Sequence, residues 1–299
     1  MIGSRTGELA ALATAFCYTL NGIYFESAGK KVGSLAVNFI RLIIGFIFLS
    51  IFTYINRGQF LPLDATAHNW IWLGLSGFVG FFLGDLFLFQ AYVEIGTRIT
   101  LLIMATSPPI TALLGFIFME ERISYICIVG MLITLSGIGL VILGKDREDE
   151  KIKFKHPIRG IIFAFLGAVG QSVGMILSKV GMGNYSSLAA TQIRIVAGFI
   201  AFVVLFIYLN KWEDLKKAAK DKKAMVDITL GSLFGPFLGV SLQLTSLKYT
   251  AAGISSTITS IMPVTVLPYS IFVEGEKLTI KEVFGTLLSV IGIGILFLI

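Results

Sequence analysis

The chain is poor in the residues from which soluble proteins build surfaces and enzymes build metal centres. Only 14% of its 299 residues are charged and 56% are hydrophobic, whereas an ordinary soluble domain carries about a quarter charged residues. A water-exposed globule of this length is therefore excluded. The two cysteines, Cys17 and Cys127, lie inside apolar runs with no CxxC or Cys/His spacing around them, so neither a disulfide framework nor a zinc site is expected. The two histidines, His68 and His156, fall in connecting segments and leave a histidine-based metal centre without ligands. No sequence of the form GxxxxGK[ST] is present, which removes the phosphate cradle of an ATP-driven pump. No cofactor and no catalytic residue set is expected. The formal charge of +6 collects in two connectors, 145–159 and 211–227, rather than on a folded basic surface, so nucleic acid is not an expected partner.

What the chain has in abundance is long apolar runs, each able to cross about 30 Å of hydrocarbon as a helix. Ten spans are expected: Gly7–Ala28, Gly33–Asn56, Trp70–Val93, Ile99–Met119, Ser124–Gly144, Ile158–Val180, Ser187–Asn210, Val226–Leu247, Ala251–Val273 and Glu282–Ile299. Their continuous apolar character, as in 35–52, argues against the period-two alternation of a membrane β-barrel. The first run reaches full spanning length with no small-residue cleavage pattern behind it, so it is expected to stay as a helix.

The second half repeats the first. At an offset of about 153 residues, Ser34-Leu35-Ala36 falls on Ser187-Leu188-Ala189, Ile40-Arg41 on Ile193-Arg194, and Gly45-Phe46-Ile47 on Gly198-Phe199-Ile200. After a shift of about two residues, Gly80 and Gly84 fall on Gly235 and Gly239, and Pro108 falls on Pro263. In the same register Glu121-Arg122-Ile123 falls on Glu276-Lys277-Leu278, and Gly130 and Gly137 fall on Gly285 and Gly292. The expected organisation is a first five-helix unit at 7–144, a charged linker at 145–157 and a second unit at 158–299. An odd number of spans per copy makes the second copy enter the membrane in the opposite sense. The expected fold is thus all-α and integral to the membrane, with ten transmembrane helices in two inverted five-helix repeats. That architecture recurs in secondary transporters, with the substrate site near the midplane between the halves.

The residues of this duplication also carry a family resemblance. A proline in the fourth helix, a Glu-basic-aliphatic turn, and Gly, Leu and Gly-Ile in the fifth resemble the repeat of EamA-type proteins in the drug/metabolite transporter superfamily. Here they are Pro108, Glu121-Arg122-Ile123, Gly130, Leu132 and Gly137-Ile138, then Pro263, Glu276-Lys277-Leu278, Gly285, Leu287 and Gly292-Ile293. Arg41 and Arg194, early in the second helix of each repeat, fit the same pattern. The resemblance covers almost the whole chain. It implies a central cavity lined by the first, third and fourth helices of each repeat, and export or exchange of amino acids, sugars, nucleotide sugars or other small metabolites. Small multidrug resistance proteins resemble this fold too, but they rely on a carboxylate in the middle of the first helix. This chain has Tyr18 and Asn21 there, so their proton/cation exchange is not carried over.

Polar residues inside spans mark the candidate site, because a charge at a helix centre costs about 2.5–3.5 kcal/mol on insertion scales and needs a partner or water. Asp85 lies between Gly84 and an apolar run, with Gln90 five residues on. Its two readings are a substrate or proton role and a buried carboxylate paired with Arg or Lys. Its repeat equivalent is Val240, with Gln243 one turn further along. Tyr18 and Gln171 are equivalent positions in the first helices, and Asn21 is one turn beyond Tyr18. These residues and Ser260 are the candidate substrate-binding set. Pro108 and Pro263 are candidate gating kinks, since a proline within a span frees carbonyls. Arg41 and Arg194 are expected to form structural ion pairs or interfacial anchors, and Glu26 and Lys179 to snorkel to the interface. The glycine stripes of the fifth helices are expected to join the two halves.

The expected function is a secondary transporter, exporter or exchanger, of small metabolites, amino acids or related compounds foremost, by alternating access. Its partners are a small-molecule substrate and the lipid bilayer, with protons the candidate coupling ion. The alternatives are a non-transporting membrane sensor and an intramembrane enzyme acting on a lipid-linked substrate. An enzyme would need paired aspartates, a metal set or a nucleophile with its base, and the sequence shows none of these.

Overall fold

A computed structural model describes residues 5–104, 106–144, 158–265, 267–272 and 279–298, and among them every regular element is helical. Helix α1 (Thr6–Val32) is followed across Gly33 by α2 (Ser34–Arg57). Gly33 has φ 84°, a backbone region that glycine enters without steric cost, and it lets two long helices meet at a one-residue turn. Next come α3 (Ala67–Ser76), a π-helical segment π1 (Gly77–Gly84) and α4 (Asp85–Met104), then α5 (Ser107–Met119) and α6 (Tyr125–Gly144). The second half runs α7 (Ile158–Met182), α8 (Ser187–Leu209), α9 (Trp212–Lys220), α10 (Lys222–Ser232), π2 (Leu233–Gly239) and α11 (Val240–Tyr249). It closes with α12 (Ala252–Thr259), α13 (Met262–Thr265), α14 (Leu267–Phe272) and α15 (Ile280–Leu298).

Among the described residues, six helices are long and apolar enough to cross a membrane: Ser34–Arg57, Ala67–Ala91, Ile158–Met182, Ser187–Leu209, Lys222–Tyr249 and Ile280–Phe297. Shorter apolar helices lie at Ser107–Met119 and Tyr125–Leu140. Helix α1 has 27 residues and a length of about 40 Å, but Glu8, Asn21 and Glu26 dilute its apolar character. Large apolar side chains such as Phe116, Phe118, Ile200 and Val204 point outward. The core instead gathers Phe39, Leu42, Phe81, Phe202 and Phe206 between the two halves.

Three boundaries differ from the sequence reading. The connector expected near 94–98 is absent, because α4 continues to Met104 and the chain turns at Thr106 instead. Gly96 alone does not stop a helix, whereas Pro108 and Pro109 lack the amides that would bond back to the preceding turn, and their rings crowd it, so they sit at a helix start. The span expected over Ala251–Val273 is interrupted at 260–261, between α12 and α13. The charged connector 211–227 is not a loop: it forms α9 and opens α10, with Trp212 set edge-on to Phe39 at 6.1 Å.

The halves interlock through glycine. A Cβ on Gly130 would sit 3.2 Å from the Gly292 carbonyl oxygen, and one on Gly137 would reach the Gly285 carbonyl and Ser289. Residue numbers rise on α6 as they fall on α15, so these equivalent helices run antiparallel. The third segments cross over in the same manner. Helix α3 and π1 pack on α7 and α8, while π2 packs on α1 and α2.

Candidate functional site

The two π-helical segments create the centre of the molecule. In π1 the Asp85 amide donates to the carbonyl five residues back, at Gly80, and in π2 the Val240 amide donates to Gly235. These are equivalent residues of the two repeats. A π turn widens the helix and is frequent at functional sites. Pro236 lacks an N–H and so helps impose the wider turn on π2. Each widened turn offers its glycine pair to the first helix of the other half. Gly80 and Gly84 face Gly174, Gly170 and Gln171, whereas Gly235 and Gly239 face Asn21 and Tyr18.

Around these crossings the polar side chains meet. Gln171 Nε2 donates to Asp85 Oδ1 at 2.7 Å and points a longer contact, 3.4 Å, at the Gly80 carbonyl. Arg41 closes an ion pair on the other oxygen of Asp85, and its guanidinium lies 5.2 Å from the Phe89 ring centroid. Both Arg41 and Asp85 are buried. Across the pseudo-symmetry, the Tyr18 hydroxyl donates to Gln243 Oε1 at 2.9 Å. Asn21 lies against Gly235 with its Oδ1 buried and without a partner among the described residues. Tyr18, Asn21, Gln171 and Gln243 are each half-buried, forming a neutral polar layer in front of buried charges.

Arg194 is the largest departure from the sequence reading. It is neither an interfacial anchor nor half of an ion pair among the described residues: it is 2% exposed and its guanidinium lies 4.4 Å from the Phe81 ring centroid. Its Nη2 fits the notch left by Gly80, where an added Cβ would come within 3.2 Å. The physical reason is the asymmetry of the repeats. Arg41 finds Asp85 in its own half, but the residue equivalent to Asp85 is Val240.

A second polar cluster lies at the end of the bundle where α7 finishes. Lys179 Nζ is 2.6 Å from Glu121 Oε1 and donates to the Thr250 carbonyl at 2.6 Å. Glu121 Oε2 accepts from the Ala252 amide at 2.8 Å, which places a carboxylate at the N-terminus of α12. Lys179 therefore does not snorkel to the interface. Glu26 pairs with Lys30 one turn along its own helix. Among the described residues no group of three or more His, Cys, Asp or Glu is placed to hold a metal ion.

A duplicated bundle with this centre has a counterpart among known families. The model of the EamA-like transporter family matches residues 5–143 and again residues 158–298. The chain belongs to the EamA-like transporter family. A Clostridium kluyveri protein named an uncharacterized transporter is 23% identical over 290 residues, covering 96% of this chain and 92% of the relative. An Archaeoglobus fulgidus protein of the same name is 22% identical over 294 residues, covering 97% of each. A solved crystal structure superposes with a TM-score of 0.75 at 16% identity over 98% of this chain and 96% of its own, which shows a shared fold. The chain is thus a multi-pass membrane protein of a transporter family.

Within this EamA-like transporter, the candidate residues Tyr18 and Gln243 meet, as do Asp85 and Gln171, with Asn21 beside the second glycine pair. Gln90 does not join them. Its Nε2 donates to Glu94 Oε1 at 2.9 Å, and Glu94 in turn lies 3.5 Å from Arg159. Ser260 returns its hydroxyl to the Ser256 carbonyl at 2.8 Å, satisfying its own helix. Pro108 is the second residue of α5 and Pro263 the second of α13. They are helix starts rather than mid-helix kinks, positions where a missing N–H costs nothing. Each follows a break in its span. The pairing of Glu121 with Lys179 went unread in the sequence, although the turn motif containing Glu121 was its one signal.

Proposed function

We propose that the protein is a secondary transporter of small polar metabolites, amino acids or related compounds foremost, acting as an exporter or exchanger by alternating access. In this reading 7–144 and 158–299 are two inverted five-helix units joined by 145–157, giving ten spans across the cell membrane. The observation that carries it is the paired crossing of Tyr18 and Gln171 over the glycine pairs of the opposite halves. A site made from both units changes access when one rocks against the other.

Tyr18, Asn21, Gln171 and Gln243 form the substrate-facing layer, with Asp85 behind Gln171. The breaks before Pro108 and Pro263 let the ends of the fourth spans move against the centre, which gives these prolines their gating role. Ser260, beside the second break, is an outlying member of the site, whereas Gln90, bonded to Glu94, is left outside it. Protons are the coupling ion in this account, carried by Asp85. An Asp85→Asn variant then loses flux driven by a pH gradient and keeps substrate exchange; unchanged pH-driven flux removes Asp85 from the coupling.

The transporter reading is tested by counterflow in proteoliposomes with labelled amino acids, sugars, nucleotide sugars and organic cations. Saturable uptake of one class, recovered chemically unchanged, is expected. A chemically altered product would make the protein an enzyme, and binding without flux would make it a sensor.

A further inference from the structure

Four charged side chains are buried among the described residues: Arg41, Asp85, Arg194 and Glu282. Glu282 is satisfied by the Thr279 amide and hydroxyl, at 2.7 and 2.9 Å, where α15 begins. That leaves two guanidinium groups and one carboxylate at the centre. Asp85 is already engaged by Arg41 and Gln171. Arg194 lies at the same crossing, its Nη2 in the notch of Gly80 whose carbonyl Gln171 also contacts, yet among the described residues no carboxylate lies within ion-pair distance of it and its Nε and Nη1 are buried without hydrogen-bond partners. An uncompensated charge inside a membrane is costly and marks function. A guanidinium with free N–H groups is the side chain best shaped to receive a carboxylate or phosphate.

We propose that the central site takes a small organic anion, and that Arg194 is the residue that receives its carboxylate or phosphate group. The inference rests on the transporter reading and narrows its substrate class. The anion supplies in the second half what Asp85 supplies to Arg41 in the first, and the half-buried Tyr18 and Gln243 hydrogen-bond the neutral part. A single free carboxylate is enough to meet the requirement, so a zwitterionic amino acid belongs to this class and its carboxamide does not.

The test pairs each anion with its neutral analogue. Thermal unfolding of the full-length protein in detergent is followed with benzoate against benzamide, with glutamine against glutamine amide, and with glycerol 3-phosphate against glycerol. Counterflow of the same compounds is measured in proteoliposomes. A ligand that binds the folded state raises the melting temperature by an amount that grows with the logarithm of its concentration over its Kd. Stabilisation that rises with concentration for one or more acids, with none by their neutral partners, is expected, and whether carboxylates or the phosphate ester respond tells which anion is held. Arg194→Gln is expected to weaken that binding at least tenfold, and Arg194→Lys, which keeps the charge, to weaken it less. Equal binding of acid and neutral analogue, stabilisation by none of the acids, or unchanged acid binding in Arg194→Gln would overturn the proposal. Should Arg194→Gln fail to fold, the acid-to-amide contrast in the wild type decides alone. Binding of acids without counterflow upholds the anion site and overturns the transporter reading, while counterflow of neutral compounds alone does the reverse.

Discussion

Asp85 is held from both halves of the chain at once, by Arg41 of the first repeat through an ion pair and by Gln171 of the second through a 2.7 Å hydrogen bond. A buried pair of this kind is a poor source of net stability, because desolvation of both ions offsets their attraction, but loss of one partner strands the other. Arg41→Met and Asp85→Leu alone are therefore each expected to destabilise the protein by about 3–5 kcal/mol. The double variant is expected to lose much less than the sum. Unfolding in detergent, run as a double-mutant cycle, measures the difference; additive losses would mean that the two groups act separately.

The glycine crossings make a second, sharper expectation. A Cβ at Gly77 would run into the backbone carbonyl of Arg194, whereas one at Gly74, three residues earlier, would meet nothing within 4 Å. Gly77→Ala is expected to cost about 1–3 kcal/mol through overpacking. Gly74→Ala is expected to be neutral or to stabilise by up to about 1 kcal/mol through helix propensity. Paired melting curves of the two variants check this, and equal curves would contradict the close approach of π1 to α8.

These two cases also show what the sequence could and could not convey. Gly80, Gly84, Gly235 and Gly239 were legible as equivalent positions because their spacing of four recurs in both repeats. Asp85 was legible because a carboxylate in an apolar run is conspicuous. The π turns were not legible: glycine and Pro236 announce irregularity but do not say that the Asp85 amide reaches back five residues rather than four. The isolation of Arg194 was hidden for a related reason. It follows from the substitution of Val240 for an aspartate on a different helix, and only the tertiary arrangement turns that substitution into an unpaired charge. Glu121 and Lys179 likewise meet through the crossing of α5 and α7, which no local pattern encodes.

Outside the spans, Asp64 provides a pH expectation. Partial burial disfavours its charge, but the Tyr185 hydroxyl at 2.8 Å, a hydrogen bond from the backbone and the Arg57 guanidinium together hold its carboxyl below the usual carboxylate range. A group with a lowered folded-state value stabilises the fold above its ordinary value, and the benefit fades as pH falls through the lowered one. Asp64 is partly exposed, so the pair is worth about 0.2–1 kcal/mol. At pH 7 the wild type is expected to be more stable than Asp64→Asn by that amount. The gap should narrow once pH falls below about 4, as seen in unfolding at a series of pH values. A gap independent of pH would show that Asp64 does not act through its charge.

The central claim is that substrate is handled where the two halves cross, and counterflow by point variants tests it most directly. Tyr18→Phe removes only the hydroxyl that donates to Gln243, Gln171→Ala removes the donor to Asp85, and Gln90→Ala removes a side chain that is bonded to Glu94 away from the crossing. With the wild-type substrate in proteoliposomes, Tyr18→Phe and Gln171→Ala are expected to raise KM about tenfold, the loss of about 1.4 kcal/mol of binding. Gln90→Ala should leave KM within about twofold of the wild type, a shift of about 0.4 kcal/mol. The opposite pattern, with Gln90→Ala impaired and the other two intact, would place the substrate elsewhere and contradict the account.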